Sequence, residues 1–307
     1  MFERHAMEEQ ATARGLARVV TLPTPSPGFI GEGHTAVHVI GAEHFEQSDP
    51  FILLADDRLD LPRGRSAGGP HPHAGFEIVT FVVEGELRDR DEGLLRVGDV
   101  AWMTAGTGVV HGEDIEPLGR VRILQLWVTS PSKLRWVEPR FEHVAREDVA
   151  LRREPGIEAH VYSGISGSVN GGSHVNLPLT MVDIRLAANA VFDQTLPASY
   201  NGFVYALEGE VVVDGAVRRQ LAPGQIGWLD DGVSESATTL RLIAGSRGGR
   251  VVLYAGERQG VPIVTKGPFV GETHGDLTRV GQAYLRGHMP RVSELVRRTA
   301  GSELELR

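Results

Sequence analysis

The chain has 307 residues, 41% of them hydrophobic and 23% charged, a globular composition long enough for two domains and too apolar for a disordered chain. A net charge of −9 with dispersed basic residues speaks against direct nucleic-acid binding, and the absence of cysteine excludes disulfides, thiolate metal sites and cysteine nucleophiles. The start, MFERHAMEEQATARGLARVV, has no signal-peptide core and no apolar run suffices to span a membrane, so a cytoplasmic protein without membrane contact is expected.

Glycines and prolines punctuate short Val/Ile/Leu/Phe runs along the whole chain, which reads as many short strands in a sandwich or barrel. In chain order, strands are predicted at 35–40, 51–54, 78–83, 121–128, 180–186, 202–207 and 251–254. GEGHTA (31–36) imitates a dinucleotide fingerprint, but no strand precedes it and it reads as a loop. No Gly-x-Ser-x-Gly elbow occurs, which disfavours a serine hydrolase. One helix is predicted in ETHGDLTRVGQAYLRG, with Thr273 as its cap, Asp276 three residues on, and Leu277, Val280 and Tyr284 at helical spacing. A second helix or a tail follows Met289.

The chain also echoes itself. FVVEGEL and RVGDVAW in 81–102 return as FVYALEGEV and APGQIGW in 203–228, each with a Glu-Gly-Glu turn and then Gly-x-x-x-Trp (Gly98 to Trp102; Gly224 to Trp228). Matching order and spacing point to two copies of one β domain, joined through the polar, strand-poor stretch 137–155. The expected domains are 1–145 and 146–307.

The chemistry lies in the first copy. HPHAGFEIVT (71–80) places His71 and His73 one residue apart, and GVVHGED repeats that spacing with His111 and Glu113. In an extended chain residues i and i+2 face the same way, so each segment presents two ligand-type side chains together. If the two segments pair, they form a site of three histidines and one carboxylate, suited to a first-row metal with vacant positions. Glu77 shares the parity of His71 and His73. It is a candidate ligand, a partner for an imidazole N–H or a general base, unless a bulge at Gly75 reverses the parity. Superposing the two Glu-Gly-Glu turns puts Thr195 opposite His71 and Pro197 opposite His73, and the stretch 233–239 has no histidine. One metal, in the N-terminal domain, is therefore expected. The other nine histidines have no ligand partner at metal spacing, and Trp102, Met103 and Trp228 read as core.

These segments resemble the pirin family of bicupins. The matching pieces are DPFILL (49–54), HPHAGFEIVTFVVEGE (71–86), GDVAWMTAGTGVVHGE (98–113), LQLWV (124–128), FVYALEGEV (203–211) and GPFV (267–270), in order from about residue 17 to 287. The resemblance implies an all-β fold of two cupin barrels (double-stranded β-helix, jelly-roll) packed face to face, with a short C-terminal helix. It implies one divalent metal, Fe(II) first and Mn, Ni, Cu or Zn as alternatives, held by His71, His73, His111 and Glu113, with Glu77 outside the ligand set. It also implies quercetin 2,3-dioxygenase-like activity, because several members open the flavonol ring of quercetin with dioxygen. Glu113, and Glu77 beside it, are the catalytic candidates for proton transfer from a small aromatic or enolic substrate. The alternative is a non-enzymatic, iron-dependent redox sensor that binds a protein partner, as some animal members do. Three positions depart from the family pattern: Ala74 stands where many members have arginine, Gly112 where many have Ala or Ser, and RDRDEGLLRV replaces a longer loop.

Overall fold

The computed structural model describes residues 12–61, 69–112, 116–117, 119–172, 176–232 and 237–295. Glu113 lies outside the described residues, as do His5 and His174. The fold is an all-β double cupin. The described residues form two compact units, and each builds a core from strands whose apolar residues alternate with polar ones.

The metal-motif unit comprises the described residues within Leu22–Val149, Gly172–Pro178 and Glu257–Arg307. Its main strands include β1 (His34–Ile40), β2 (Phe51–Leu59), β3 (His71–His73), β4 (Phe76–Glu84), β5 (Glu86–Asp89), β6 (Gly93–Arg96), β7 (Val100–Thr104), β8 (Val109–His111), β9 (Val121–Thr129) and β10 (Arg140–Val144). The main sheet runs β10-β7-β4-β9-β2-β1, all antiparallel, while β3 pairs with β8 and β5 with β6 in two small ribbons. Phe76, Ile78, Met103, Val109 and Ile52 fill one core region; Leu59, Val82, Leu87, Leu95 and Ile123 fill another. The expected strands are all present and mostly longer than their apolar runs, since polar residues on the outward faces extend each ladder.

The second unit comprises the described residues within Met1–Thr21, Ala150–Gly171 and Leu179–Gly256. Its main strands include β11 (Ile157–Ser163), β12 (Leu179–Leu186), β13 (Val191–Pro197), β14 (Tyr200–Val213), β15 (Gln225–Leu229) and β16 (Ala237–Glu257). The long β16 serves twice, pairing with β13 through its first half and with β12 through its second. The interior is aliphatic, with Val161, Ile184, Leu196, Val204, Leu240, Leu242 and Leu253 among its members.

The two units part at Val149/Ala150, and neither is one continuous segment, because Gly172–Pro178 and both ends of the chain belong to the unit of the other half. Strand Leu16–Thr21 pairs with β15, and Leu16 is buried in the aliphatic core of the second unit. The C-terminal helix, His274–Leu285, was expected with the second half but belongs to the first unit. Its inward residues Leu277 and Val280 pack with Ala74, Phe269 and Met289. The helix starts as the sequence predicts. Thr273 and Asp276 form a reciprocal capping box, the Thr273 hydroxyl accepting from the Asp276 N–H and the Asp276 carboxylate from the Thr273 N–H.

The expected equivalence of Thr195 and Pro197 with the histidines also needs correction. Both are exposed, and Gln194 and Leu196 face inward instead. The connections that follow β3 and β13 are equal in length but differ in shape. Gly75 adopts φ +88°, whereas Ser199 at the matching place has an ordinary negative φ. A turn of different hand shifts the inward set by one residue.

Candidate metal centre

Strands β3 and β8 run antiparallel with His71 opposite His111 and His73 opposite Val109. Residues 71 and 73 share a face, so this register brings three imidazoles to one point. His111 Nε2 lies 2.9 Å from His71 Nε2 and 2.9 Å from His73 Nε2. His73 and His111 are buried and His71 is half-buried. The triad is the group of metal-type donors that converges among the described residues.

The outer nitrogens decide what the inner ones can do. His71 Nδ1 is 3.0 Å from the Gly69 carbonyl, and His111 Nδ1 is 3.2 Å from a Glu92 carboxylate oxygen. Only an N–H can face those acceptors, so each Nδ1 carries the proton and each Nε2 presents a lone pair. Two lone pairs at 2.9 Å repel unless a cation lies between them. Burial holds His73 well below the ordinary imidazole pKa and keeps it a neutral donor. The residues therefore fit a divalent metal.

Glu77, expected as a catalytic candidate, belongs elsewhere. The left-handed Gly75 separates β3 from β4 and reverses the parity, so Phe76 and Ile78 face inward with His73 while Glu77 faces the other way. Its carboxylate accepts from Trp102 Nε1 at 2.8 Å and from the Asn176 N–H at 3.0 Å. Burial raises its pKa, and those two hydrogen bonds offset part of the rise. Its role is to satisfy buried donors.

The family follows from comparison with known proteins. The description "Pirin" matches residues 33–128, and "Pirin C-terminal cupin domain" matches 181–290. The chain belongs to the pirin family. An Arabidopsis thaliana pirin-like protein 2 is 33% identical over 271 residues, covering 83% of this chain and 81% of its own length. A Pseudomonas aeruginosa relative, provisionally named quercetin 2,3-dioxygenase, is also 33% identical, covering 88% of this chain and 96% of its own. Among solved structures, an Acinetobacter baumannii quercetin 2,3-dioxygenase superposes with a TM-score of 0.77 at 25% identity, over 90% of this chain and 98% of that one.

In this pirin-family chain several residues around the triad escaped the sequence reading. Trp127 packs its ring 5.3 Å from His73 and 4.5 Å from Phe76, and its indole N–H has no hydrogen-bond partner among the described residues. Nothing in LQLWV singles it out, since Trp127 shares its parity with the polar Gln125 and stands opposite Leu124, Leu126 and Val128. Arg135, fully buried, donates to the Gly75 carbonyl at 2.8 Å, to Thr129 Oγ1 at 3.1 Å and to Glu272 at 3.1 Å. It ties the turn after the His71–His73 strand to the residue before the helix cap. Asp89 is pushed up to about 7, by burial first and then by the charge of Glu92.

His34 pairs with Asp57 at 2.8 Å and His143 with Asp99 at 3.1 Å, both as structural contacts. A separate cavity of about 520 Å³, bordered by Arg58, Arg120 and Arg122, shares no residue with the triad. No helix among the described residues is long and apolar enough to cross a membrane.

Proposed function

We propose that the chain is a metal-dependent oxygenase acting on a flavonol or related enol, with His71, His73, His111 and Glu113 as the metal-holding set and Fe(II) as the native ion. The observation that carries this reading is the pair of Nε2 lone pairs of His71 and His111, held 2.9 Å apart by acceptors on their far sides. When bound, the metal would supply Lewis acidity and exchange electrons with substrate and dioxygen.

The chain's own residues do the rest. Phe76, wholly buried, and Trp127, half-buried, flank the imidazoles, and Trp127 is the aromatic ring left to meet a planar substrate. The Trp127 N–H is a buried donor without an acceptor among the described residues, and a phenolic or enolic oxygen is a matching acceptor. Glu113 is the carboxylate proposed to take the substrate hydroxyl proton. Glu77 is not part of this scheme, because its oxygens are occupied by Trp102 and Asn176. The names of the Pseudomonas and Acinetobacter relatives support the substrate class. A cysteine-free chain suits a cytoplasmic location.

The test is oxygen uptake with quercetin, using protein reconstituted separately with Fe(II), Mn(II), Ni(II) and Cu(II), beside His71→Ala and Glu113→Ala. Uptake that needs one metal and is lost in both variants is expected. Protein shown by elemental analysis to hold one metal equivalent, yet inert with every metal, would refute the activity.

A further inference from the structure

The short acidic turn between β5 and β6 is built around Asp89. Its Oδ1 accepts the backbone N–H of Asp91 at 2.7 Å and of Glu92 at 2.9 Å. That closure turns the Glu92 side chain back toward β8, where its carboxylate meets His111 Nδ1 at 3.2 Å. Both side chains are almost completely buried, 9% exposed for Glu92 and 4% for His111.

The turn is held from the other side as well. Asp91 accepts from Arg291 at 2.7 Å, and the Pro290 carbonyl accepts from the Val110 N–H at 2.8 Å. Gly112 makes room for this bridge. A Cβ there would lie 2.8 Å from Arg291 Nη2 and 3.0 Å from Asp91 Oδ2. The two departures from the family pattern, the shortened turn and Gly112, therefore belong to one arrangement.

We propose that Glu92 is a positioning residue for the metal ligand His111, fixing the Nδ1–H tautomer and the ring orientation so that Nε2 faces His71 and His73. The inference rests on the metal-centre reading above. Glu92 is not itself a ligand, because it bonds the ring nitrogen on the edge away from the convergence point. A carboxylate in this place also makes the opposite nitrogen a better donor, and losing such a partner lowers metal affinity by about 10–100-fold.

The test compares wild type, E92A, E92Q and H111A by two measurements. Long-range 1H–15N spectra of the metal-free protein read the His111 tautomer, and chelator competition reads Co(II) affinity. Wild type is expected as the Nδ1–H tautomer. E92A is expected to give a mixed tautomer and a Co(II) affinity lower by about 10–100-fold, with E92Q, which keeps an acceptor oxygen, recovering part of both. A smaller loss in E92A, an unchanged tautomer, or an E92Q no better than E92A would overturn the assignment. Should E92A fail to fold, E92Q decides: a Co(II) affinity equal to wild type would overturn it, and a loss of about threefold or more with the tautomer kept would support it. Neither measurement uses quercetin or dioxygen, so failure of the oxygenase chemistry leaves this assignment standing. An H111A protein that binds Co(II) like wild type would instead refute the metal centre.

Discussion

Gly75→Ala is the substitution whose cost can be worked most directly from the structure. Gly75 has φ +88°, a conformation that costs a residue with a Cβ about 1–2 kcal/mol. The added Cβ would lie 1.9 Å from the Val270 carbonyl oxygen and 3.2 Å from the Trp136 ring, so a backbone segment must retreat by roughly 1 Å. That segment holds Ala74 through the Val270 N–H at 3.0 Å, a bond worth about 1 kcal/mol. The same shift strains the Arg135 bond to the Gly75 carbonyl, a charge-assisted contact worth about 1.5–3 kcal/mol when fully lost. With the last bond weakened and not broken, the total is about 3–5 kcal/mol. Urea unfolding of the metal-free protein measures it, and Co(II) affinity measured alongside reports on β3. A G75A protein within about 1 kcal/mol of wild type would refute the steric argument. One destabilised as expected but with unaltered metal affinity would refute the link between this turn and the ligand strand.

Further predictions concern single side chains. His73→Ala and His111→Ala should lower bound metal from one equivalent to near zero by elemental analysis while the far-ultraviolet circular dichroism stays that of a β protein. Glu77→Gln keeps an acceptor for Trp102 Nε1 and should leave Co(II) affinity within about twofold of wild type, in contrast to E92A. Asp89 is raised from 3.8 to about 7, so between about pH 4 and 7 the folded metal-free protein binds a proton that the unfolded chain has released. Its contribution to stability therefore falls as pH rises through that window. Asp89→Asn keeps the Oδ1 acceptor and should gain on wild type by on the order of 2 kcal/mol between pH 4 and 8, read from urea midpoints; parallel curves would refute it. Arg135→Met removes a buried charge that holds three acceptors and should destabilise by about 3–5 kcal/mol in the same assay.

The strands, the duplication and the capped helix were legible because each leaves a local pattern: period-2 alternation, a repeated Glu-Gly-Glu turn, and Thr273 with Asp276. The histidine triad was legible for the same reason, since spacing alone gives the shared face. The place of Glu77 stays open in the sequence because parity carries through a strand but not through a left-handed glycine, and Gly75 alone does not announce its φ. Glu92 and Arg135 were invisible because their partners lie 19 and 60 residues away, across strand pairings that no local pattern encodes. The helix was assigned to the wrong half for the same reason: Leu277 and Val280 show an apolar stripe but not what it covers.

The brace on the ligand ribbon has a consequence for the making of the protein. Val110, beside His111, is held by Pro290, 180 residues later in the chain. At a synthesis rate of ~5–20 residues per second, roughly 10–40 s separate the two on the ribosome. The histidines are thus in place long before the segment that fixes their frame. With these histidines as the proposed metal holders, firm capture of an ion is expected late in maturation, once the segment around Pro290 has docked.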